Sequence, residues 1–461
     1  MNLCTKQGHC NFNPKFAVLL QSRRRKRIDT VREGSMLVRF AASNFRSLGD
    51  RQELSMVASA FYKDHQEILI ANKAISGEAL LPAAVIYGPN ASGKSNVLGA
   101  FEYLQSLVLN SQIRGKPDGG VPRPYFALQT YAESNPTAIE VEFISSNTRY
   151  QYGFEADNKE FISEWLYWYP SRQRQLLFER TRNKTMRFGR SLKGQNRVIS
   201  ELMRPNSLFL SAAAQNGHEQ LTKVHSYFSS WAFQRAPADP RGGFILLDRA
   251  EYDARIISFL KEVGTGVVGY RTIKKNLKED AKVFRRDLWK LISSALPPEE
   301  RDPPDWSPDA DDFELELAHG SADAPVYFNL EQESSGTRRL LLILRSVFSA
   351  LDRGSVVFVD ELDASLHTQI CEAIVSLFSD PHNNKLGAQL ISTTHDTNLM
   401  RSRHLRRDQL WFTEKDQLGA THLYPLSDIR TRKTDDIERN YLQGRYGAIP
   451  FAGDLVDLLA E

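Results

Sequence analysis

The chain has 461 residues, 41% of them hydrophobic and 25% charged, with a formal net charge of +3. That balance excludes a disordered or fibrous protein and allows a sizeable core, in one elaborated domain or a few small ones. The charge is too small to point to nucleic acid by itself, and no apolar run approaches the roughly 20 residues that span a bilayer.

The three cysteines, Cys4, Cys10 and Cys371, offer neither a disulfide framework nor zinc-ligand spacing, so a reducing cytoplasm is the expected compartment. Residues 1–35 carry Arg23, Arg24, Arg25, Lys26 and Arg27 without apolar periodicity. They read as a basic disordered arm, a targeting leader, or an extension ahead of a true start at Met36. A secretory signal does not fit, because Phe16 to Leu20 is too short an apolar core and precedes the charge run.

From Met36 a strand pattern runs through Leu37-Val38-Arg39-Phe40 towards Asn44-Phe45-Arg46-Ser47-Leu48. A second strand, Ala83 to Tyr87, enters a glycine-rich turn and then a helix from Lys94 to about Ser111. Beyond Thr137 the period becomes two, in Ile139-Val141-Phe143, Tyr150-Tyr152-Phe154 and Phe161 to Tyr169, which predicts an antiparallel meander. Ser207 to Ser211 reads as a strand, residues 212–295 as helical with a strand-like stretch near 266–273, and the Pro-rich residues 296–311 as an exposed loop.

Strands are then expected at Phe313–Leu317 and Val326–Leu330, followed by a helix. Next come the apolar strand Ser355–Val359, a helix from Ser365 and the strand Gln389–Thr393. Short all-apolar strands alternating with helices indicate a buried, largely parallel sheet. The expected fold class is therefore α/β, a P-loop NTPase with a mixed or parallel core sheet, an antiparallel β subdomain and a helical insertion. The expected segments are 1–35 for the arm, 36–114 and 312–461 for the two halves of the core, and 115–311 for the inserted lobe.

Gly88-Pro89-Asn90-Ala91-Ser92-Gly93-Lys94-Ser95 matches the P-loop pattern in full. Its glycines let backbone N–H groups turn around phosphate oxygens at the positive end of a helix, with Asn96 next in line. Lys94 is expected to reach the β- and γ-phosphates and the Ser95 hydroxyl to ligate Mg²⁺. Val356-Val357-Phe358-Val359 delivers Asp360, a carboxylate expected to hold Mg²⁺ through water, and Glu361, placed to polarise an attacking water.

His395 follows the next strand, where an imidazole can contact the γ-phosphate. Ser334, Ser335, Gly336 and Thr337 open a helix. Their structural role is an N-cap, and the same N–H groups can bind a phosphate held by a second subunit. Gln215 is the weak candidate for a further metal-side ligand.

The order of P-loop, Ser-Ser-Gly turn, Asp-Glu, Ser365-Leu366-His367 and His395 resembles the ABC-type ATPase heads of the RecF, SMC and OLD group. In that group Asp363 to His367 corresponds to the D-loop of the dimer interface. Asn44-Phe45-Arg46-Ser47-Leu48 is similar to the group's first strand. Residues 407–415 and 441–450 are similar to C-terminal signatures of RloA- and AbiL-type AAA-type ATPases, bacterial proteins of restriction and abortive-infection loci.

The resemblance covers about residues 36–461. It implies ATP and Mg²⁺ as ligands and hydrolysis across a head-to-tail homodimer. It also implies a sensor role in anti-phage defence, with a separately encoded effector and a phage protein or DNA as trigger. The alternative it leaves is a RecF-like DNA repair clamp.

The signature Glu-Ser-Ser-Gly-Thr departs from the transporter form, no long heptad run offers a coiled-coil arm, and the stretch after His395 is too short for a Toprim nuclease. Asp435 and Asp436 read as a solvated acidic turn, and Arg401 to Arg407 and Arg430 to Lys433 as solvated basic surface.

Overall fold

Strand β5 (Ala83–Tyr87) is buried at every position, and its side chains divide by parity between two cores. Ala84 and Ile86 join one hydrophobic cluster, whereas Ala83, Val85 and Tyr87 join the other. The computed structural model describes residues 34–449 except 76, 172, 182–184, 236–252, most of 276–311, and 322. The basic run, the Pro-rich loop at 296–311 and Pro450 lie outside the described residues.

Ahead of β5 stand β1 (Met36–Ser43), β2 (Gln52–Ser55) and a small β3 (Ile70–Ala71) and β4 (Ala79–Leu80) pair. After β5 comes helix α1 (Lys94–Arg114), then the antiparallel run β6 (Thr137–Ser145), β7 (Thr148–Ala156), β8 (Phe161–Tyr169), β9 (Gln175–Arg180) and β10 (Met186–Phe188). These form one seven-stranded sheet in the order β10-β9-β8-β7-β6-β1-β2. The meander is as the alternation foretells, and β1 extends it by pairing antiparallel with β6.

Helices α2 (Asn196–Leu202), α3 (Phe209–Gln215) and α4 (Glu219–Ser229) follow, then strand β11 (Ala232–Gln234) and helix α5 (Ala254–Glu262). The expected strand at Ser207–Ser211 is therefore corrected: most of it opens α3. A short apolar run does not distinguish a strand from a buried helix by periodicity. Here Ala212, Ala213 and Ala214 carry the helix on, and the Glu164 carboxylate accepts the N–H groups of Phe209 and Leu210 at its start.

A separate three-stranded sheet holds β12 (Val267–Lys275), β13 (Asp312–Ser321) and β14 (Ala324–Asn329). It leads into α6 (Ser335–Arg353), whose αL-conformation C-cap is Gly354. Then come β15 (Val356–Val359), α7 (Thr368–Ser379), β16 (Gln389–Thr393), β17 (Leu410–Lys415), β18 (Thr421–Pro425) and α8 (Ile437–Leu442).

The core sheet has the order β11-β15-β16-β5-β17-β18, with every pair parallel except β17–β18. Its central strands β15, β16 and β5 are short and buried at every position because both faces are covered. Phe358 shows the density of this packing, with ring centroids 4.4 Å from Phe233 and 4.8 Å from Phe101. Burying one such ring contributes about 1.5–3 kcal/mol.

Candidate active site

The turn after β5 depends on left-handed backbone, with φ of 154° at Gly88, 61° at Ala91 and 110° at Gly93. A Cβ on Gly88 would strike Thr413, and one on Gly93 would strike the side chain of Thr421. Those threonines also brace the loop by hydrogen bonds. Ser92 Oγ and Thr413 Oγ1 share one of 2.6 Å, and Thr421 Oγ1 donates to the Ser92 carbonyl at 2.8 Å. Behind them Ser47 Oγ lies 2.7 Å from Thr421 Oγ1 and accepts from Asn96 Nδ2 at 2.7 Å. Asn96 thus supports the loop from behind.

Lys94 is buried, and its ammonium donates to the carbonyls of Gly88 at 2.8 Å and Pro89 at 3.0 Å. Burial lowers its pKa, opposed by Asp360, Glu361 and Asp363. Ser95 Oγ donates to Asp360 Oδ1 at 3.1 Å, although 265 residues separate them. Thr393 Oγ1 donates to the same carboxylate oxygen at 2.6 Å and accepts the Glu361 N–H at 2.7 Å. Glu361 itself has φ of 51°, a conformation uncommon outside glycine, so the chain turns sharply where the second carboxylate begins.

A hydroxyl and a carboxylate at bonding distance beside a phosphate-binding turn fit one hard divalent cation that completes its shell with phosphate oxygens and water. Among the described residues no group of three or more His, Cys, Asp or Glu forms a protein-only cage, so magnesium fits here only in that shared manner.

His395 is exposed at the end of β16, and its N–H donates to Asp363 Oδ1 at 3.1 Å; Thr394 Oγ1 donates to the same oxygen at 2.8 Å. Partial burial, then the Lys94 ammonium, pull the imidazole below the ordinary histidine value.

Ser334 caps α6, its Oγ accepting the Thr337 N–H at 3.0 Å, and leaves Ser335 exposed in the first turn. Gly336 lies under the Asp363–His367 turn, where a Cβ would come within 2.6 Å of the Ser365 carbonyl. Arg339 lies three residues further along α6 and is buried. Its Nη2 donates to the carbonyls of Asp360 and Glu361, each at 2.7 Å, and Nη1 reaches the Arg235 carbonyl at 3.5 Å.

Gln215 does not join this constellation. It is the exposed last residue of α3, a helix whose Ser211 accepts the N–H of Gln112 near the far end of α1. At 1.5 Å per residue that point is roughly 25 Å from Ser95.

The glutamine beside the site is Gln234, which ends β11 next to the Asp360 strand; its carbonyl accepts the Asp360 N–H at 2.8 Å. Its side chain donates to Ser346 Oγ on α6 at 2.7 Å. Gln234 and Arg339 are the site residues that sequence reasoning missed. The one available signal for Gln234 was the apolar pair Ala232-Phe233 before a glutamine, in a region read as helical.

The basic stretches are largely engaged within the protein. Arg406 is buried against Asp408, Arg407 donates to Thr431 Oγ1 and to the carbonyls of Arg432 and Lys433, and Arg401 pairs with Asp436 and Glu438. Asp435 accepts the Arg432 N–H, and Asp436 caps α8.

Residues 83–401 match the family described as AAA domain, putative AbiEii toxin, Type IV TA system. Comparison with curated proteins gives no match. Among solved structures the chain is similar to an SMC head domain from Thermotoga maritima, at 12% identity and a TM-score of 0.38, covering 84% of this chain and 98% of that one. It is also similar to an Smc head domain from Pyrococcus furiosus bound to the C-terminal domain of ScpA, at 14% identity and a TM-score of 0.38, covering 86% and 97%. The recombination mediator RecF with ATP gives 12% identity and a TM-score of 0.32, covering 86% and 99%. Among the described residues no helix is long and apolar enough to cross a membrane. With the family match extending across both halves of the core sheet and through the motifs that meet at its edge, the chain belongs to this AAA-domain family of P-loop ATPases.

Proposed function

We propose that the protein binds and hydrolyses ATP as a head-to-tail homodimer, and that this cycle makes it the sensor of an anti-phage system acting through a separate effector. The observation that carries the enzymatic reading is the 3.1 Å contact between Ser95 of the P-loop and Asp360, with Thr393 joining that carboxylate to the Glu361 backbone. Magnesium, held by Ser95 and Asp360, would supply charge neutralisation on the phosphates.

The chain's own residues do the rest. The P-loop N–H groups and Lys94 orient the β- and γ-phosphates, and Glu361 accepts a proton from the attacking water. His395 can offer a hydrogen bond at the γ-phosphate. The exposed Ser335 and the first-turn N–H groups of α6 cover the γ-phosphate of the partner's ATP. The defence role is supported by the family description, a putative toxin of a type IV toxin–antitoxin system, and by the motif resemblance to abortive-infection ATPases.

The test is Glu361→Gln beside Lys94→Ala in the full chain. Glu361→Gln is expected to abolish turnover and accumulate an ATP-bound dimer on size-exclusion with light scattering, and Lys94→Ala to lose nucleotide binding. A Glu361→Gln protein that stays monomeric under saturating ATP removes the dimer mechanism.

A further inference from the structure

We infer that Arg339 couples the two ATP sites: it makes the placement of Glu361 in one site depend on whether the α6 turn of the same protomer holds the other site's nucleotide. This rests on the proposed head-to-tail dimer. Its geometry is independent of that reading.

Arg339 and Gly336 lie within one turn of α6, so they move as one rigid piece with the Ser334–Thr337 cap. Each grips the same downstream segment at a different point. Arg339 Nη2 holds the adjacent carbonyls of Asp360 and Glu361 at 2.7 Å, and Gly336 packs under the carbonyl of Ser365. The segment between these grips includes Glu361 and Ser365, both at left-handed φ, of 51° and 61°. Backbone in that region needs surrounding contacts to hold it, and a buried guanidinium on two carbonyls is a strong, directional one.

The guanidinium is not fully satisfied where it stands. Arg339 Nε is buried without a hydrogen-bond partner, and its contact to the Arg235 carbonyl is stretched to 3.5 Å. An unmet buried donor is a strained arrangement that a small shift of α6 can relieve. A displacement of the cap on meeting the partner's phosphate is thereby carried, through one side chain, to the carboxylate that activates water in the protomer's own site. Coupling of this kind makes turnover steep in ATP concentration, with a Hill coefficient that can rise towards the number of sites.

The experiment compares wild type, Arg339→Met, Arg339→Lys and Glu361→Gln as full chains. It measures ATP affinity, ATP-dependent dimerisation, and hydrolysis against ATP concentration. Arg339→Met keeps the aliphatic stem and removes the grip. It is expected to keep ATP affinity and dimerisation, to lower kcat about tenfold or more, and to bring the Hill coefficient from near 2 to about 1. Arg339→Lys is expected to fall between them, and it decides the matter if Arg339→Met does not fold.

Arg339 variants with wild-type steepness beside a trapped Glu361→Gln dimer would overturn the inference alone. So would a loss of turnover that only follows loss of ATP affinity. If Glu361→Gln does not trap a dimer, the reading beneath the inference falls, and the inference with it.

Discussion

Two causes act on the His395 imidazole in the same direction, partial burial and the positive charge of Lys94, and both disfavour the protonated ring. Removing the cation leaves the larger cause in place. Lys94→Ala is therefore expected to raise the His395 pKa, since Asp363, Glu361 and Asp360 already pull it upward, and a histidine-labelled NMR titration of the nucleotide-free protein reads this directly. A pKa that stays put or falls would show that the ammonium does not face the ring.

At this scale the contiguous motifs were legible. Gly88 to Ser95 and Asp360-Glu361 each compress their chemistry into a few adjacent residues. Arg339 was not legible, because an arginine in a helix reads as a solvated charge until the strand beneath it is known. Gln234 was hidden for a related reason: a three-residue strand offers no period, and a lone glutamine carries no motif.

Among the elements, α3 illustrates how a buried charge can fix a helix start. Glu164 on β8 is fully buried, accepts the N–H groups of Phe209 at 2.6 Å and Leu210 at 3.1 Å, and accepts the Tyr152 hydroxyl at 3.0 Å. Burial pushes its carboxyl up, while Arg180 and these donors pull it down. Arg180 in turn donates to the carbonyls of Phe161, Pro205 and Ser207.

Glu164→Ala strips a helix N-terminus and a phenol of their acceptor at once, and removes the negative charge that Arg180 feels. The expected cost is about 1–3 kcal/mol for each buried donor left unpaired, seen in chemical denaturation, with loss of amide-exchange protection at Phe209 and Leu210. Wild-type protection at those two amides would count against the carboxylate as the cap. The misreading of Ser207–Ser211 as a strand has the same origin: the group that selects the helix comes from a strand 45 residues away, which no local window contains. The strands of the meander and of the core, by contrast, were visible in their alternation or their uninterrupted apolar character.

For the whole molecule, the sheets are joined by side chains that span most of the sequence. Gln389 on β16 accepts the Leu37 N–H at 2.6 Å and donates to the carbonyls of Leu37 and Leu81, both at 3.1 Å, across as many as 352 residues. It ties β1 and the approach to β5 to the strand that leads to His395. Gln389→Leu is expected to cost about 1–3 kcal/mol for each buried group left unpaired, measured as a shift of the denaturation midpoint. An unchanged midpoint would mean those backbone groups find other partners. The pairing of β1 with β6 across the P-loop segment is of the same kind, since strand order in a sheet is a long-range choice that local pattern does not encode.

The threonine brace of the P-loop has a consequence for synthesis. Ser92 emerges from the ribosome 321 residues before Thr413 and 329 before Thr421. At about 5–20 residues per second the loop waits roughly 16–66 seconds for the two side chains that shape it. During that interval the nascent chain carries a phosphate-binding sequence without the supports of a phosphate-binding site. A message cut short anywhere before the codon for Thr413 therefore yields a product whose P-loop lacks both of the side chains that brace it.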